Sequence, residues 1–467
     1  MEDKKYIVTL AGDDFEELKA LSDKFNGENQ TQQEVFTSTF DSKNYEELKK
    51  VLKENSYAYI LASSNFKDSS QNSNRKPLAD ILNRINDNDR FAKKNSDITD
   101  DLFFVKYFNT QEIESALIFY NSLYSGITSI EKLPEATHEG RESSILKIKV
   151  NNNKNIGVYI TGGVHGNEWI PPEALIYFIK SLCDAFKNNK DLVIGKNTYP
   201  KETINKILER IEFYIYPLVN PDGRYQSQTR TNSDSMIGRK NRRPISKKYF
   251  GVDINRNFDF LWDYEKYFSR KAETYNLSKN ISSDNYIGPY PFSEPETRNV
   301  TKLINDSSSN IKYYLDIHSK VTQDNLVLYS WGHSASQSDY SIMNFRNSYY
   351  WGQFGDRYFG EYVQKTDLDL RKKIARKMAF AASNACASRK QYIARTTNEM
   401  YLMSGSARDF MEGLSFVNDK YKKIHAFMIE VSDYEFNPPL SNRKNMVLEI
   451  TASIIELCVQ ILDVKTN

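Results

Sequence analysis

The chain has 467 residues, of which 39% are hydrophobic and 13% are aromatic. This apolar content is enough for a sizeable core and argues against wholesale disorder. Length alone predicts about two to four domains, with one large and one small domain equally allowed. The 63 basic residues nearly cancel the 61 acidic ones, which leaves a net charge of +2. We therefore expect neither nucleic acid nor a membrane as a partner.

The cysteines and the N-terminus bear on the cellular compartment. The three cysteines are Cys183, Cys386 and Cys458. Their number is odd, their spacing is wide and none forms a Cys-x-x-Cys pair, so we expect neither a disulfide framework nor cysteine-bound zinc. The short apolar run at residues 6–12 is followed at once by two aspartates, which is not the pattern of a signal peptide. We expect a cytoplasmic protein, or a secreted one whose signal has been removed.

The first part of the chain alternates strand-like and helix-like segments. We predict strands at residues 5–11, 33–40 and 57–61, and helices at residues 15–25 and 45–54. Helices between short strands are typical of a small α/β domain of the ferredoxin-like type. Because polar and charged stretches follow, we place the boundary near residue 97, which predicts domains at residues 1–97 and 98–467.

The second domain shows a longer alternation of apolar runs and helical patterns. The runs predict buried strands at residues 156–161, 212–219, 312–317, 326–330 and 426–431. Two prolines precede a predicted helix at residues 173–186, where proline suits the first turn. This order predicts an α/β fold with a mixed central sheet flanked by helices, and such sheets bind ligands at the carboxyl ends of their strands.

A histidine and a glutamate lie three residues apart directly after the first of these strands, in the sequence Gly-Gly-Val-His-Gly-Asn-Glu-Trp at residues 162–169. In a tight turn His165 and Glu168 can face one cation, and an imidazole with a carboxylate is a sound pair of zinc ligands. His318 ends another predicted strand, at the same edge of the sheet. Each motif alone has a plain alternative, a loop histidine or a hydrogen-bonded core histidine. Together they leave the fourth zinc position open, as catalytic sites do.

A third motif is Gly-Val-Asp-Ile-Asn-Arg-Asn-Phe at residues 251–258. Asn255 and Arg256 side by side could bind a carboxylate through an amide and a forked guanidinium. Asp253 could accept a hydrogen bond from a liganding imidazole and fix its tautomer. The alternative is an Asn-rich turn with no role in function.

These motifs occur in a recognisable order: His-x-x-Glu, then Asn-Pro-Asp-Gly at residues 220–223, then the third motif, then His-Ser at residues 318–319. In this order they resemble the zinc carboxypeptidases of the A/B type, from about Tyr107 to the C-terminus. The resemblance implies that one zinc ion per chain is bound by His165, Glu168 and His318. It also implies that Asn255 and Arg256 bind the terminal carboxylate of a peptide or protein substrate.

The same resemblance implies roles for four further residues. Arg239 matches the arginine that polarises the scissile carbonyl, and Tyr401 matches a mobile tyrosine that closes over the substrate. Glu430 matches the general base, which would take a proton from water activated by zinc. Arg408 falls at the bottom of the pocket for the departing side chain, where an arginine would favour Glu or Asp. The alternative is that Arg408 turns away to pair with a nearby carboxylate such as Asp409 or Glu412.

The N-terminal domain resembles the pro-segment that keeps such enzymes inactive as zymogens, although a generic accessory domain has a similar pattern. Two departures affect expected subsites: Lys320 stands where an aromatic residue is usual, and Asn167 replaces a common arginine. Residues 338–363 read as an aromatic-rich insertion.

The leading hypothesis is a monomeric zinc carboxypeptidase that prefers acidic C-terminal residues. The alternatives are a hydrolase of glutamyl linkages in modified proteins or cell-wall peptides, and a non-catalytic module that binds zinc or peptide.

Overall fold

A computed structural model of the chain separates into two compact units, Met1–Lys106 and Tyr107–Asn467. The boundary near residue 97 that we expect from composition stays a prediction. The structure describes residues 5–11, 28–32, 35–41, 58–63, 100–104, 106–151, 153, 155–229, 236–267, 276–305, 310–321, 324–329, 365–386, 391–397, 403–417, 420–433, 436 and 438–464.

Within its described residues, the first unit contains a four-stranded antiparallel sheet and one short helix. The elements are β1 (Lys5–Ala11), β2 (Glu28–Gln32), β3 (Val35–Asp41), β4 (Ala58–Ser63) and α1 (Asp100–Phe104). The strand order β2-β3-β1-β4 is that of a ferredoxin-like sheet. Strand β2 escaped prediction because its sequence, Glu-Asn-Gln-Thr-Gln, has no apolar residue. The helices predicted at residues 15–25 and 45–54 lie outside the described residues.

The second unit alternates helices and strands along the chain. Its helices are α2 (Thr110–Leu123), α3 (Ile170–Lys187), α4 (Lys201–Arg210), α5 (Pro221–Thr229), α6 (Tyr264–Tyr267), α7 (Pro295–Asn305), α8 (Lys365–Ala385), α9 (Ala407–Val417) and α10 (Leu440–Asp463). Its strands are β5 (Thr128–Lys132), β6 (Ser144–Ile148), β7 (Ile156–Gly162), β8 (Leu192–Ile194), β9 (Asn197–Tyr199), β10 (Ile211–Tyr216), β11 (Ile311–Val321), β12 (Asn325–Tyr329), β13 (Tyr392–Thr396) and β14 (His425–Asp433).

Among the described residues, eight of these strands form one mixed sheet in the order β13-β12-β14-β11-β7-β10-β6-β5. The four central strands β14, β11, β7 and β10 run parallel, and antiparallel pairs join them to the outer strands. Strand β7 is almost wholly buried, which is why its sequence reads as a continuous apolar run rather than an alternating one. The predicted mixed α/β fold is confirmed.

Helices α3 and α10 show how the unit covers its sheet. Helix α3 begins at Ile170, so Pro171 and Pro172 lie in its first turn, where their missing N–H groups cost no hydrogen bond. Helix α10 is long and apolar enough to cross a membrane, with a mean hydropathy of 1.6, yet 78% of that window is buried. The core helix of a folded domain passes the same test of length and composition, and the burial of α10 fits that description.

A buried ion cluster fixes the start of the second unit to its core. Glu173, fully buried, accepts hydrogen bonds from the Phe108 backbone N–H at 2.7 Å and from Arg224 Nη2 at 3.1 Å. Arg443 donates to the other oxygen of the same carboxylate, and Arg224 Nη2 also binds the Phe108 carbonyl at 2.6 Å. Removing Glu173 would leave two guanidinium groups buried without their shared counter-ion.

We predict that Glu173→Ala lowers the free energy of unfolding by about 3–5 kcal/mol, the cost typical of breaking a buried ion pair. Urea denaturation followed by intrinsic fluorescence measures this change. The matched control is Glu142→Ala, which removes a carboxylate that is 61% exposed and paired with Lys132. The control should change stability by less than about 1 kcal/mol. Equal effects of the two substitutions would contradict the anchoring role of Glu173.

Candidate metal centre and catalytic site

The candidate site lies where the central parallel strands end. His165 and Glu168 follow the last residue of β7, whereas His318 and Glu430 lie near the ends of β11 and β14. The parallel register pairs His318 directly with Glu430. Because parallel strands present their carboxyl ends at one edge of a sheet, residues distant in sequence meet there.

Two glycines in the loop after β7 allow its tight turn. Gly163 has a φ of +62°, in the left-handed region that favours glycine. A Cβ atom on Gly166 would lie 2.1 Å from the backbone nitrogen of Arg224, so the loop can approach α5 only without a side chain at this position. The glycines of the His-x-x-Glu segment therefore shape the turn that aims His165 and Glu168.

The three predicted ligands converge on one point. Glu168 Oε1 lies 2.7 Å from His165 Nδ1, and Glu168 Oε2 lies 3.2 Å from His318 Nδ1. The possible ligand atoms of the three residues all lie within 4.8 Å of one another, and all three residues are buried. Two imidazole nitrogens and a carboxylate are a donor set suited to zinc, so these residues could hold the ion.

The protonation of Glu168 suits a metal ligand. Burial opposes ionisation of this carboxyl, but the neighbouring imidazoles of His165 and His318 outweigh it and lower its pKa to about 2. The Ser319 backbone N–H also donates to Glu168 Oε2 at 2.8 Å. The site thus holds a preformed anion at the point where a cation would bind.

Each histidine is oriented from behind by an aspartate. His165 Nε2 lies 3.1 Å from Asp253 Oδ1, and His318 Nε2 lies 2.8 Å from Asp316 Oδ2. A neutral imidazole that donates its Nε2–H to a carboxylate presents the Nδ1 lone pair to the site. The contact of Asp253 is the one predicted from sequence. Asp316 was missed, although an acidic residue two positions before a strand-end histidine lies on the same face of the strand.

Arg239 lies beside the ligands, on the segment that links α5 to the third motif. Its Nη2 donates to Asp253 Oδ2 at 2.7 Å, and its Nη1 lies 3.3 Å from His165 Nδ1. Burial opposes the ionisation of Asp253, but Arg239 and then Arg256 hold its pKa well below the usual range. The guanidinium of Arg239 is therefore held beside the candidate ligand His165.

The predicted carboxylate-binding pair lies on a short 3₁₀ turn, Ile254–Arg256, capped by Asp253. Asn255 Nδ2 lies 3.3 Å from His318 Nε2, and Asn255 Oδ1 accepts the Ala407 backbone N–H at 3.0 Å. Arg256 is held by two carbonyl oxygens, with Nε to Asn276 at 2.9 Å and Nη1 to Asn255 at 2.8 Å. Asn255 thus lies next to the candidate ligand His318, and Arg256 is held by backbone carbonyl groups.

Glu430 meets the requirements of a proton acceptor. It is 7% exposed, and burial raises the pKa of its carboxyl, while His318 acts in the opposite direction. The strand register places it beside His318. A carboxylate whose pKa is raised toward neutrality is a stronger base than an exposed one. Glu430 therefore lies beside a candidate metal ligand, the position expected of the predicted base.

Arg408 adopts the arrangement that we considered as the alternative to a pocket arginine. It is fully buried in α9, donates from Nη2 to Asp409, and its Nη1 lies 3.6 Å from Glu412 Oε2. Its Nε and Nη1 have no hydrogen-bond partner among the described residues.

Tyr401 and the insertion at residues 338–363 lie outside the part of the chain that the structure describes.

A second buried carboxylate cluster supports the Arg239 segment and has no counterpart in the sequence analysis. Asn241 Nδ2 donates to Glu294 Oε2 at 2.7 Å and to Glu296 Oε2 at 2.9 Å, while His138 Nε2 lies 2.9 Å from Glu294. The Asn241 backbone also bonds to Val252, just before the third motif. These contacts fix the segment that carries the candidate oxyanion-binding arginine.

Comparison with known proteins agrees with this geometry. A profile described as zinc carboxypeptidase matches residues 113–451. Carboxypeptidase B of Astacus astacus is 30% identical over 244 residues, which is 50% of this chain and 68% of that protein. Carboxypeptidase B of Helicoverpa zea is 30% identical over 243 residues, which is 50% of this chain but only 49% of that protein. Human mast cell carboxypeptidase A is 27% identical over 256 residues, 54% of each chain.

Solved structures show the same fold over nearly the whole chain. Thrombin activatable fibrinolysis inhibitor aligns with a TM-score of 0.60 and 18% identity, over 99% of this chain and 100% of that one. Carboxypeptidase A of Helicoverpa armigera aligns with a TM-score of 0.58 and 18% identity, over 100% of both chains. At this identity the likeness concerns the fold, whereas the profile match covers most of the chain. The chain therefore belongs to the zinc carboxypeptidase family, whose members use one catalytic zinc ion, and is a metallocarboxypeptidase.

Proposed function

We propose that the protein hydrolyses the C-terminal peptide bond of peptides or proteins, with zinc held by His165, Glu168 and His318. The observation that carries the proposal is the convergence of these three buried side chains beside Glu430 on the neighbouring strand. The coexistence of a ligand set, a base and a carboxylate-binding pair argues against a non-catalytic module. Cleavage of glutamyl linkages would use the same chemistry on another substrate.

Each residue has a separate role in the proposed reaction. Zinc bound at this site would supply Lewis-acid chemistry. Glu430 takes a proton from the attacking water and delivers it to the departing amine. Arg239 donates hydrogen bonds to the carbonyl oxygen as it gains negative charge, a stabilisation that is strongest in a buried site. Asn255 and Arg256 bind the terminal carboxylate, which restricts cleavage to the last peptide bond.

The remaining features of the proposal rest on the sequence and on the family resemblance. Tyr401, outside the described residues, is proposed to close over the bound substrate. The relatives give no support for the cytoplasmic location expected from the N-terminal sequence, and the proposal retains the secreted alternative. Peptide or protein C-termini are the proposed partners, and a monomer is the proposed state.

Replacement of Glu430 by Gln tests the proposed base. The amide keeps the shape of the side chain but cannot accept a proton, so kcat should fall by about 100-fold to 10,000-fold. Zinc content by elemental analysis and the binding of the released C-terminal amino acid should remain close to those of the parent. Activity within about tenfold of the parent would assign the base to another group.

Although Arg408 pairs with Asp409, we further propose a preference for acidic C-terminal residues, supported by its Nε and Nη1 atoms, which lack hydrogen-bond partners among the described residues. A Glu or Asp side chain would satisfy these donors, whereas an apolar side chain would leave them buried and unpaired.

This preference is measured as kcat/KM on the parent and on Arg408→Ile. The substrates are peptides that end in Glu, Asp, Phe, Leu, Lys or Arg. The parent should favour Glu and Asp, and the variant should lose that advantage by about tenfold or more because a charge-assisted contact is removed. A parent that favours Phe or Leu would refute the preference. An unchanged Glu advantage in Arg408→Ile would show that another residue produces it.

We also propose that the N-terminal unit lowers activity until it is removed. The motivation is its pro-segment-like pattern and the basic residues Arg90, Lys93 and Lys94, which offer trypsin sites in a polar stretch. Limited trypsin digestion should release the unit and raise peptidase activity, read by mass spectrometry and assay at the same time points. Clean removal without any gain in activity would instead identify an accessory domain.

A further inference from the structure

The Asn-Pro-Asp-Gly motif at residues 220–223 lies at the start of α5 and has no part in the proposed reaction. Its first residue, Asn220, is 0% exposed. Asn220 Oδ1 accepts the Gly223 backbone N–H at 2.8 Å, and the Asn220 carbonyl accepts the Arg224 N–H at 3.1 Å. This is the contact of an N-cap residue, which satisfies a free N–H group in the first turn of a helix. The oxygen of the Asn220 side chain thus serves α5 itself.

The nitrogen of the same side chain points to the active site. Asn220 Nδ2 donates to the carbonyl oxygen of Arg239 at 3.2 Å. An N-cap needs only the side-chain oxygen, and serine or aspartate would cap the helix about as well. The amide of Asn220 therefore makes one contact that α5 does not require, and its partner is the arginine proposed to bind the substrate carbonyl.

The backbone of Asn220 holds the ligand loop, residues 163–169. The Asn220 N–H donates to the Gly163 carbonyl at 2.9 Å, two residues before His165 in sequence. The ligand loop is also bonded directly to the residue before Arg239, because the Gly166 N–H donates to the Gly238 carbonyl at 2.9 Å. One residue at the start of α5 thus contacts both parts of the site.

The backbones of α5 and of the Arg239 segment, residues 238–241, approach each other closely. A Cβ atom on Gly223 would lie 2.3 Å from the carbonyl oxygen of Gly238. Gly238 has a φ of +83°, in the left-handed region that favours glycine. No side chain separates the two segments here, so a displacement of α5 would be transmitted to Arg239.

Ser227, farther along α5, holds the other side of the ligand loop. Its Oγ accepts the indole N–H of Trp169 at 2.9 Å, and Trp169 directly follows Glu168. The same Oγ lies 3.0 Å from the Gly166 carbonyl and 2.9 Å from the Arg224 carbonyl, which share its single proton. Ser227 therefore contacts the loop on both sides of Glu168.

We propose that α5 aligns the metal ligands with Arg239, and that Asn220 is the positioning residue of this alignment. This inference rests on the proposed function. Asn220 acts through the backbone of Arg239, so its amide affects the stabilisation of charge on the substrate carbonyl more than the binding of zinc or substrate. Ser227 acts through the ligand loop, so its hydroxyl affects the retention of zinc.

The main test is Asn220→Ser in the full-length, zinc-loaded protein. Serine still caps a helix but is too short to reach the Arg239 carbonyl. We expect kcat to fall by about 10-fold to 100-fold, while KM and the rate of zinc release to a chelator stay within about threefold of the parent. kcat and KM are measured before and after limited trypsin treatment. Asn220→Asp, which replaces the amide donor by an acceptor, should give the same result.

Two further variants separate alignment from general damage to the fold. In a protein that carries Arg239→Ala, adding Asn220→Ser should lower kcat by less than about threefold, because the residue through which Asn220 acts is already lost. Ser227→Ala should release zinc about tenfold faster than the parent. Thr229→Ala is the matched control, since it removes a hydroxyl of α5 that bonds only to carbonyl groups of the same helix, Tyr225 at 2.8 Å and Gln226 at 3.4 Å. It should change neither kcat nor zinc release.

Equal losses of kcat from Asn220→Ser in the parent and in the Arg239→Ala protein would overturn the inference. A kcat within about threefold of the parent for Asn220→Ser would also overturn it, as would unchanged zinc release in Ser227→Ala. If Asn220→Ser does not fold, as judged by its thermal melt, Asn220→Asp decides by the same criteria. A parent that binds zinc but cleaves no peptide would instead refute the proposed function.

Discussion

The parallel pairing of β7, β11 and β14 is the constraint on which the site depends. This pairing brings the loop after β7 to the same edge as His318 and Glu430, and its register places His318 directly opposite Glu430. A shift of one residue would turn His318 or Glu430 toward the other face of the sheet. The relative position of a candidate metal ligand and the proposed base, residues distant in sequence, thus follows from backbone hydrogen bonds between strands.

Burial makes the polar groups of the site depend on one another. Each histidine has an aspartate behind it, and Asp253 in turn is neutralised by Arg239, at 2.7 Å. Such chains of contacts leave few side chains free to move, which suits a site that must present its donors in fixed directions.

The sequence predicts much of this arrangement because its signals are local. Continuous apolar runs predicted the strands of the parallel core, and the His-x-x-Glu segment identified two candidate ligands at the end of one of them. The contact between Arg371 and Glu412 could not be predicted, since the two residues are 41 positions apart and meet only through tertiary packing. For Arg408, the sequence identified the nearby carboxylates Asp409 and Glu412 as possible partners. The direction of the Arg408 side chain could not be predicted, because it depends on how its helix packs.

The direct test of the central claim is the zinc coordination of the purified protein, measured by elemental analysis and zinc X-ray absorption, beside His165→Ala. The account predicts one zinc ion per parent chain with nitrogen and oxygen ligands at about 2.0–2.2 Å. It also predicts a large loss of zinc in His165→Ala with an unchanged circular dichroism spectrum. Equal zinc content in the two proteins, or sulfur ligands in the parent, would contradict the assignment of His165, Glu168 and His318.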